Sequence, residues 1–334
     1  MGRGPTNEYF KVMNDNYVEG TLTCLSPETI KRKITTEFPL VLNIEPTNDC
    51  NAYCFYCPRR TMIKSQGVHY MSFENYKNII DQVAGNQLIM LNLHKDGESL
   101  LHEQLPEMVE YAEKKEASQT IHLNTNGILI NTAVGRGIVE RGIDDITISI
   151  DAAKEETYRR IKKVKGLAEL EANIKSVIDF KNKINSHTII RVKINEFEGV
   201  EKEEVELFKE KWELVADEVQ VSGIHNWSGA IEGLKITDEQ SDERYPCAQP
   251  WYQLAINSNM KVSLCNVDWD YSGIVGDAAN ESIKSIWNGT PMKKIRNAHL
   301  KEIWNRPKNC EKCVFWVSFG NIRDYLQTRK EFIC

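Results

Sequence analysis

The chain of 334 residues is constrained most by a repeated switch between two hydrophobic periods across residues 40–222. Six short, β-rich apolar runs recur: "LVLNIE" (40–45), "LIMLNL" (88–93), "TIHL" (120–123), "DITISI" (145–150), "TIIRVKI" (188–194) and "DEVQVS" (217–222). Helical patterns separate them. One has Ser72 as its cap, Tyr76, Ile79, Ile80 and Val83 on one face, and Gly85 as its stop. Another, "LPEMVEYAEKK", holds Pro106 in its first turn, and Leu167, Leu170, Ile174, Val177 and Ile178 form the clearest stripe. Alternation of this length predicts an α/β fold with a parallel sheet and helices outside, and six units close most of a barrel. Chemistry in such folds sits on loops at the C-terminal ends of the strands.

After residue 240 the texture changes. "WYQLAINSNMKVSLC" (251–265) reads as a hairpin around "NSN". "SIKSIWNGTPMKKIRNAHL" reads as helical until Gly289 and Pro291 break it. The expected organisation is an extension (1–38), a partial (β/α)6 TIM-like barrel (39–238), a small α/β appendage (239–320) and a tail (321–334).

A formal net charge of −6 argues against a nucleic-acid partner. No apolar run approaches the ~20 residues that span a bilayer. "MGRGPTNEYF" lacks the apolar centre of a signal peptide. Gly2 and Thr6 match a loose myristoylation pattern, while Gly4 and Pro5 read as a plain disordered start. The chain therefore reads as cytoplasmic, and its nine cysteines as ligands or nucleophiles rather than disulfides.

Those cysteines fall into groups. Cys50, Cys54 and Cys57 share "CNAYCFYC"; Cys247, Cys265, Cys310 and Cys313 lie in the appendage; Cys24 and Cys334 are left over. Zinc with a borrowed fourth ligand is one reading of the first group, but C-x₃-C-x₂-C is not a usual zinc spacing. Three thiolates on a [4Fe–4S] cube leave one iron open, which makes a chemical site of it. For the second group a zinc ribbon competes with a fully ligated cube.

The first spacing, with Tyr56 before its last cysteine, resembles the signature of the radical S-adenosylmethionine (SAM) superfamily. "KDGES" (95–99) resembles that family's Gly-Gly-Glu motif, with Gly97 and Glu98 matching and Asp96 in place of the first glycine. "NTNG" (124–127), containing Asn126, and "SIDAAKEETY" (149–158), containing Ser149 and Asp151, resemble its third- and fourth-strand segments. The resemblance implies a SAM-chelating [4Fe–4S] cluster at Cys50, Cys54 and Cys57. It implies that Glu98 accepts from the methionyl amine, that Ser149 and Asp151 approach the ribose, and that Arg191 pairs with the SAM carboxylate; a buried strand arginine paired with a protein carboxylate is the competing reading of Arg191. The appendage resembles the SPASM/twitch domains, which implies a second, closed cluster on its four cysteines. Its spacing is similar to that of 2-deoxy-scyllo-inosamine dehydrogenases, although this chain is longer with a fuller barrel. The implied activity is radical-based oxidation of a secondary alcohol on a sugar, aminocyclitol or similar small molecule. The closed cluster would take an electron, and flavodoxin or ferredoxin would be the reductant. A redox-neutral epimerase and a peptide-modifying enzyme are the alternatives.

Substrate contacts are read from position. "GIHNWSG" (223–229) follows the sixth strand, so His225 is a candidate base, with Asn226 and Trp227 as candidate sugar contacts. Trp227 packing the domain seam is the competing reading. Lys193 alternates with Val192 and Ile194 and points into the barrel, and Lys95 lies near its mouth. "RRIKKVKG" (159–166) reads as a solvated helix face, or as a mouth suited to an anionic substrate.

Overall fold

All six expected strands form within two residues of their sequence bounds, as β1 (Val41–Ile44), β2 (Met90–Asn92), β3 (Ile121–Thr125), β4 (Asp145–Ser149), β5 (Ile189–Asn195) and β6 (Glu218–Ser222). The computed structural model describes residues 26–85, 88–224, 226–231, 243–319 and 321–332. Each strand pairs in parallel with its sequence neighbour, in the order β6-β5-β4-β3-β2-β1. The helices between them bury the stripes read from sequence: Phe73–Val83 buries Tyr76, Ile79, Ile80 and Val83, and Leu167–Lys183 buries its Leu/Ile/Val face. The Ser72 side chain accepts from the Asn75 N–H, which fixes where the first of these helices starts.

The sheet does not stop at the barrel. β7 (Gln253–Ile256) pairs in parallel with β1, in register from Val41↔Gln253 to Ile44↔Ile256. β8 (Lys261–Ser263) and β9 (Ile274–Asp277) add to it antiparallel, giving one nine-stranded sheet. The appendage is thus joined to the barrel through backbone hydrogen bonds. Buried amides reinforce the join: Asn43 Nδ2 donates to Gln253 Oε1 at 2.9 Å, and Asn92 Nδ2 donates to Asn43 Oδ1 at 2.8 Å. Leaving such a group unpaired costs about 1–3 kcal/mol, so the rung helps to select this register.

The expected break at Gly289 is present, but Pro291 begins a helix rather than ending one. Helices Ile283–Trp287 and Thr290–Leu300 flank the break, with Pro291 in the first turn of the second, where no N–H is needed. The extension and tail also meet. Helix Pro27–Lys33 sends Ile30 into the core, Arg329 Nη2 donates to the Ile34 carbonyl at 3.4 Å, and Tyr325 donates to the Lys31 carbonyl. Among the described residues no helix is long and apolar enough to cross a membrane.

Candidate active site: two cysteine sites joined by a buried charged seam

The first cysteine loop leaves β1 and is held from two sides. On one side Arg59 donates through Nε to the Asn48 carbonyl at 2.6 Å and through Nη2 to Asp49 Oδ1 at 2.7 Å. On the other, the Tyr53 and Phe55 N–H groups donate to the carbonyls of Lys162 and Ile161, both at 3.0 Å. Cys57 N–H closes the turn onto the Cys54 carbonyl at 3.2 Å. Cys50 Sγ accepts from the Ala52 N–H at 3.5 Å and from Asn126 Nδ2 at 3.8 Å. Burial pushes the Cys50 thiol up to about 11 and Cys57 up to about 12. Buried thiolates in such a turn call for positive charge, and amide donors to sulfur are the supports that iron–sulfur ligands use.

"KDGES" packs directly under this loop. A Cβ at Gly97 would stand 2.2 Å from the Thr47 carbonyl oxygen and 2.6 Å from that of Asp49, so only glycine lets the two segments touch. Glu98 N–H donates to the Asp49 carbonyl at 2.6 Å. The Glu98 carboxylate is buried and accepts from Thr125 Oγ1 and Asn126 N–H, both at 2.7 Å, and from Leu100 N–H at 3.2 Å. Asn126 also donates to Asn51 Oδ1 at 2.7 Å. Asn126 therefore ties the glutamate to the first cysteine.

The other expected SAM contacts have partners of their own. Tyr56 donates to Asp151 Oδ2 at 2.5 Å, and Lys162 Nζ donates to the same oxygen at 2.6 Å. Asp151 Oδ1 accepts from Asn195 Nδ2 at 2.8 Å. Burial works to raise the Asp151 carboxyl, but Lys162 and Lys193 hold it below the usual range. Asp151 is a hub joining the cysteine loop to β4 and β5, at a φ of 61°. Arg191 lies deeper, with Nη1 donating to both Asp145 oxygens at 2.8 and 2.9 Å and Nε to Glu218 Oε2 at 2.6 Å. Asp145 also bonds His122 Nδ1 at 2.7 Å. Ser149 is half-buried at the end of β4, with Lys193 beside it in register on β5.

The second cysteine group lines one cavity, together with Arg244, His299 and Trp316. Cys265 ends the β7–β8 hairpin, and Cys313 N–H turns back onto the Cys310 carbonyl at 3.3 Å. Arg244 Nη1 donates to the Glu311 carbonyl at 2.8 Å. Burial pushes all four thiols up. Among the described residues no three His, Cys, Asp or Glu side chains converge as ligands of one ion. Four free thiols lining one cavity are a donor set that fits a fully ligated [4Fe–4S] cube.

Between the two cysteine sites lies a seam that the sequence did not reveal. The Lys95 side chain is fully buried and ion-paired to Asp96, and its Nζ reaches the Asp268 carbonyl at 3.2 Å and the Tyr271 ring at 5.2 Å. Glu45, also fully buried, accepts from the Asp96 N–H at 3.1 Å and from Ser258 Oγ at 2.8 Å. Asp268 Oδ1 accepts from Asn309 Nδ2 at 2.7 Å, next to Cys310. In sequence Glu45 reads as the end of the first strand and Asp96 as a departure from a glycine motif, and neither shows that it is buried against Lys95. Asn226 donates to the Lys312 carbonyl at 2.9 Å, so it ties the loop after β6 to the second cysteine turn. Trp227, half-buried beside it, has a φ of 47°. His225, Cys24 and Cys334 lie outside the described residues.

Comparison with known proteins accounts for this arrangement. Residues 44–203 match the family model described as the Radical SAM superfamily, and residues 247–314 match SPASM, described as an iron-sulfur cluster-binding domain. The chain is a radical SAM protein with a SPASM iron–sulfur domain, and its cofactors are SAM and [4Fe–4S] clusters. Its curated relatives include a probable GTP 3',8-cyclase of Methanocaldococcus jannaschii, 31% identical over 41% of this chain and 45% of that one. The match thus spans about half the length of that cyclase. The PqqA peptide cyclase of Granulibacter bethesdensis is 24% identical over 84% of this chain and 80% of that one. Among solved structures, BtrN in complex with AdoMet and 2-DOIA aligns with a TM-score of 0.55 at 16% identity, over 82% of this chain and 92% of that one. The anSMEcpe structure with bound AdoMet aligns at 0.60 and 15%, over 88% and 95%. At these identities the structural likeness shows the fold.

Proposed function

We propose that the protein oxidises a secondary alcohol on a sugar, aminocyclitol or related small molecule. When bound, SAM and the first cluster supply a 5'-deoxyadenosyl radical, and the second cluster supplies a one-electron acceptor. Alcohol-to-ketone oxidation removes one hydrogen atom, one proton and one electron in all, so beside a radical source and an electron acceptor the chain's own residues would have to supply the base that takes the hydroxyl proton. Atoms and charge then balance for alcohol to ketone.

The observation that carries this reading is the buried Lys95–Asp96 pair, which touches the Glu98 motif on one side and the Cys265–Asp268 loop on the other. Alcohol oxidation needs a proton acceptor beside both the hydrogen-abstracting site and the electron acceptor. Three carboxylates, Glu45, Asp96 and Asp268, face one ammonium there, so the seam holds capacity for a proton. Gly97 and Glu98 position the first loop, and the tie from Asn226 to Lys312 positions the second. The test is a panel of polyols and aminocyclitols incubated with SAM and reductant, read by mass spectrometry. Loss of a hydrogen pair, abolished in Cys310→Ala/Cys313→Ala while SAM cleavage persists, supports the reading. A product of unchanged mass that gains solvent deuterium makes the enzyme an epimerase and overturns it.

Peptide modification is the second reading. It is favoured by the match to PqqA peptide cyclase across most of the chain and by the aligned structure of Streptococcus suis SuiB bound to precursor peptide SuiA, at a TM-score of 0.56 and 14% identity. A cross-linked or oxidised peptide product would establish it in place of alcohol oxidation.

A further inference from the structure

The basic run "RRIKKVKG" does not stand apart from the chemistry. It ends helix Glu155–Lys162, whose last carbonyls, at Ile161 and Lys162, accept from Phe55 and Tyr53 inside the first cysteine loop. That loop is followed by helix Arg59–Gln66, so both cationic stretches flank Cys54. Residues 58–66 and 154–166 together hold nine Lys and Arg against Glu155 and Glu156, in a chain whose net charge is −6. Lys162 and Arg59 are used internally, by Asp151 and Asp49. Arg60, Lys64, Arg159, Arg160, Lys163 and Lys165 are exposed. Arg160 donates to the Gly199 carbonyl, and Glu155, although exposed, accepts from the Gly166 and Leu167 N–H groups.

Two large aromatic side chains sit on the same edge. Tyr53 is 46% exposed and Phe55 40%, on either side of Cys54. Arg60 stacks on Tyr53 at 5.1 Å, and Phe55 packs edge-on to Tyr56 at 5.4 Å. An exposed aromatic pair rimmed by cations is the composition of a protein-binding patch, not of an ordinary solvated face. The patch lies on the loop that carries Cys54, so a cluster held at Cys50, Cys54 and Cys57 would take electrons from outside across this edge of the chain.

We propose that Tyr53, Phe55 and the surrounding Arg60, Arg159 and Lys163 form the docking face for an acidic one-electron carrier protein. The aromatic pair brackets Cys54 in the chain, and the cations steer the carrier onto it. The face lies outside the charged seam, so it is independent of which substrate the enzyme oxidises.

The experiment uses full-length protein with its clusters reconstituted, and a flavodoxin as the carrier. The variant is Arg159→Glu with Lys163→Asp, aspartate being tolerated at the left-handed φ of 59° at position 163. Flavodoxin binding is measured by titration at low and high ionic strength, and SAM cleavage is measured with reduced flavodoxin and, separately, with dithionite. We expect salt-sensitive binding to wild type, and in the variant about a tenfold or greater loss of binding and of flavodoxin-supported cleavage. Dithionite-supported cleavage should be unchanged. Equal losses with both reductants would show that the cations serve the cluster itself and would overturn the proposal. Unchanged flavodoxin binding would overturn it too. A raised KM for an anionic substrate under dithionite, with flavodoxin binding intact, would assign the patch to substrate.

Discussion

Lys95 donates to the backbone carbonyl of Asp268 at 3.2 Å, a contact between residues 173 apart in sequence. It joins the SAM motif to the loop of the second cysteine site, and its consequences can be measured.

Lys95→Met removes the one ammonium among three buried carboxylates. Breaking one partner of a buried pair costs about 3–5 kcal/mol, so chemical denaturation should show a loss of that order. Adding Asp96→Asn should recover part of it, because one uncompensated carboxylate is gone. Equal stability of Lys95→Met and wild type would show that the pair is not closed in solution.

Burial pushes the Asp96 carboxyl up to about 7; Lys95 opposes the rise, and Glu45 and Asp268 add to it. Tyr271 and the Cys57 thiol also face the pair. Burial works against the Lys95 ammonium, but the same carboxylates more than offset it and raise it. On lowering the pH the folded chain thus takes up a proton at Asp96 before the unfolded chain does, whose carboxyl titrates near 3.8. This contribution is full below that value and is lost as pH rises through about 7. Denaturation midpoints of metal-free protein should fall with pH across this window, and Asp96→Asn should flatten the fall. An unchanged slope in the variant would assign the dependence to another group.

Glu98→Ala leaves buried donors on Thr125, Asn126 and Leu100 without their acceptor, at a cost of about 1–3 kcal/mol. SAM affinity should fall roughly tenfold to a hundredfold, by the worth of a hydrogen bond to a charged group. Equilibrium binding at a temperature where the variant stays folded separates the two effects. Wild-type affinity would remove Glu98 from the SAM contacts.

Gly97→Ala drives a methyl into the Thr47 and Asp49 carbonyls, so the first loop must move. Iron content after anaerobic reconstitution should drop toward that of the Cys50→Ala/Cys54→Ala/Cys57→Ala variant. Those variants should each keep about four of about eight irons, since the second site is separately ligated. Eight irons in Gly97→Ala would show that the loop yields without losing its cluster.

Much of this protein is written locally. The strands and helices follow from apolar period and caps such as Ser72, and the first cysteine group follows from its spacing within one short loop, whereas the second is spread over residues 247–313 and is gathered by the fold. That Gly97, Glu98 and Asn126 gather beside the first cysteine loop follows from their places at strand ends. What the sequence could not show is which polar residues meet after folding. Glu45 bonds Ser258 across 213 residues only because β7 pairs beside β1. Arg191 and Asp151 are typical motif residues by position, yet in the fold each is taken up by buried neighbours from other strands. Asn226 turned out to hold the second cysteine turn. Local patterns fix which backbone state a segment adopts, because that choice depends on residues one or two turns away. Burial of a charge is decided by whatever the sheet order brings against it, and only the tertiary structure sets that order.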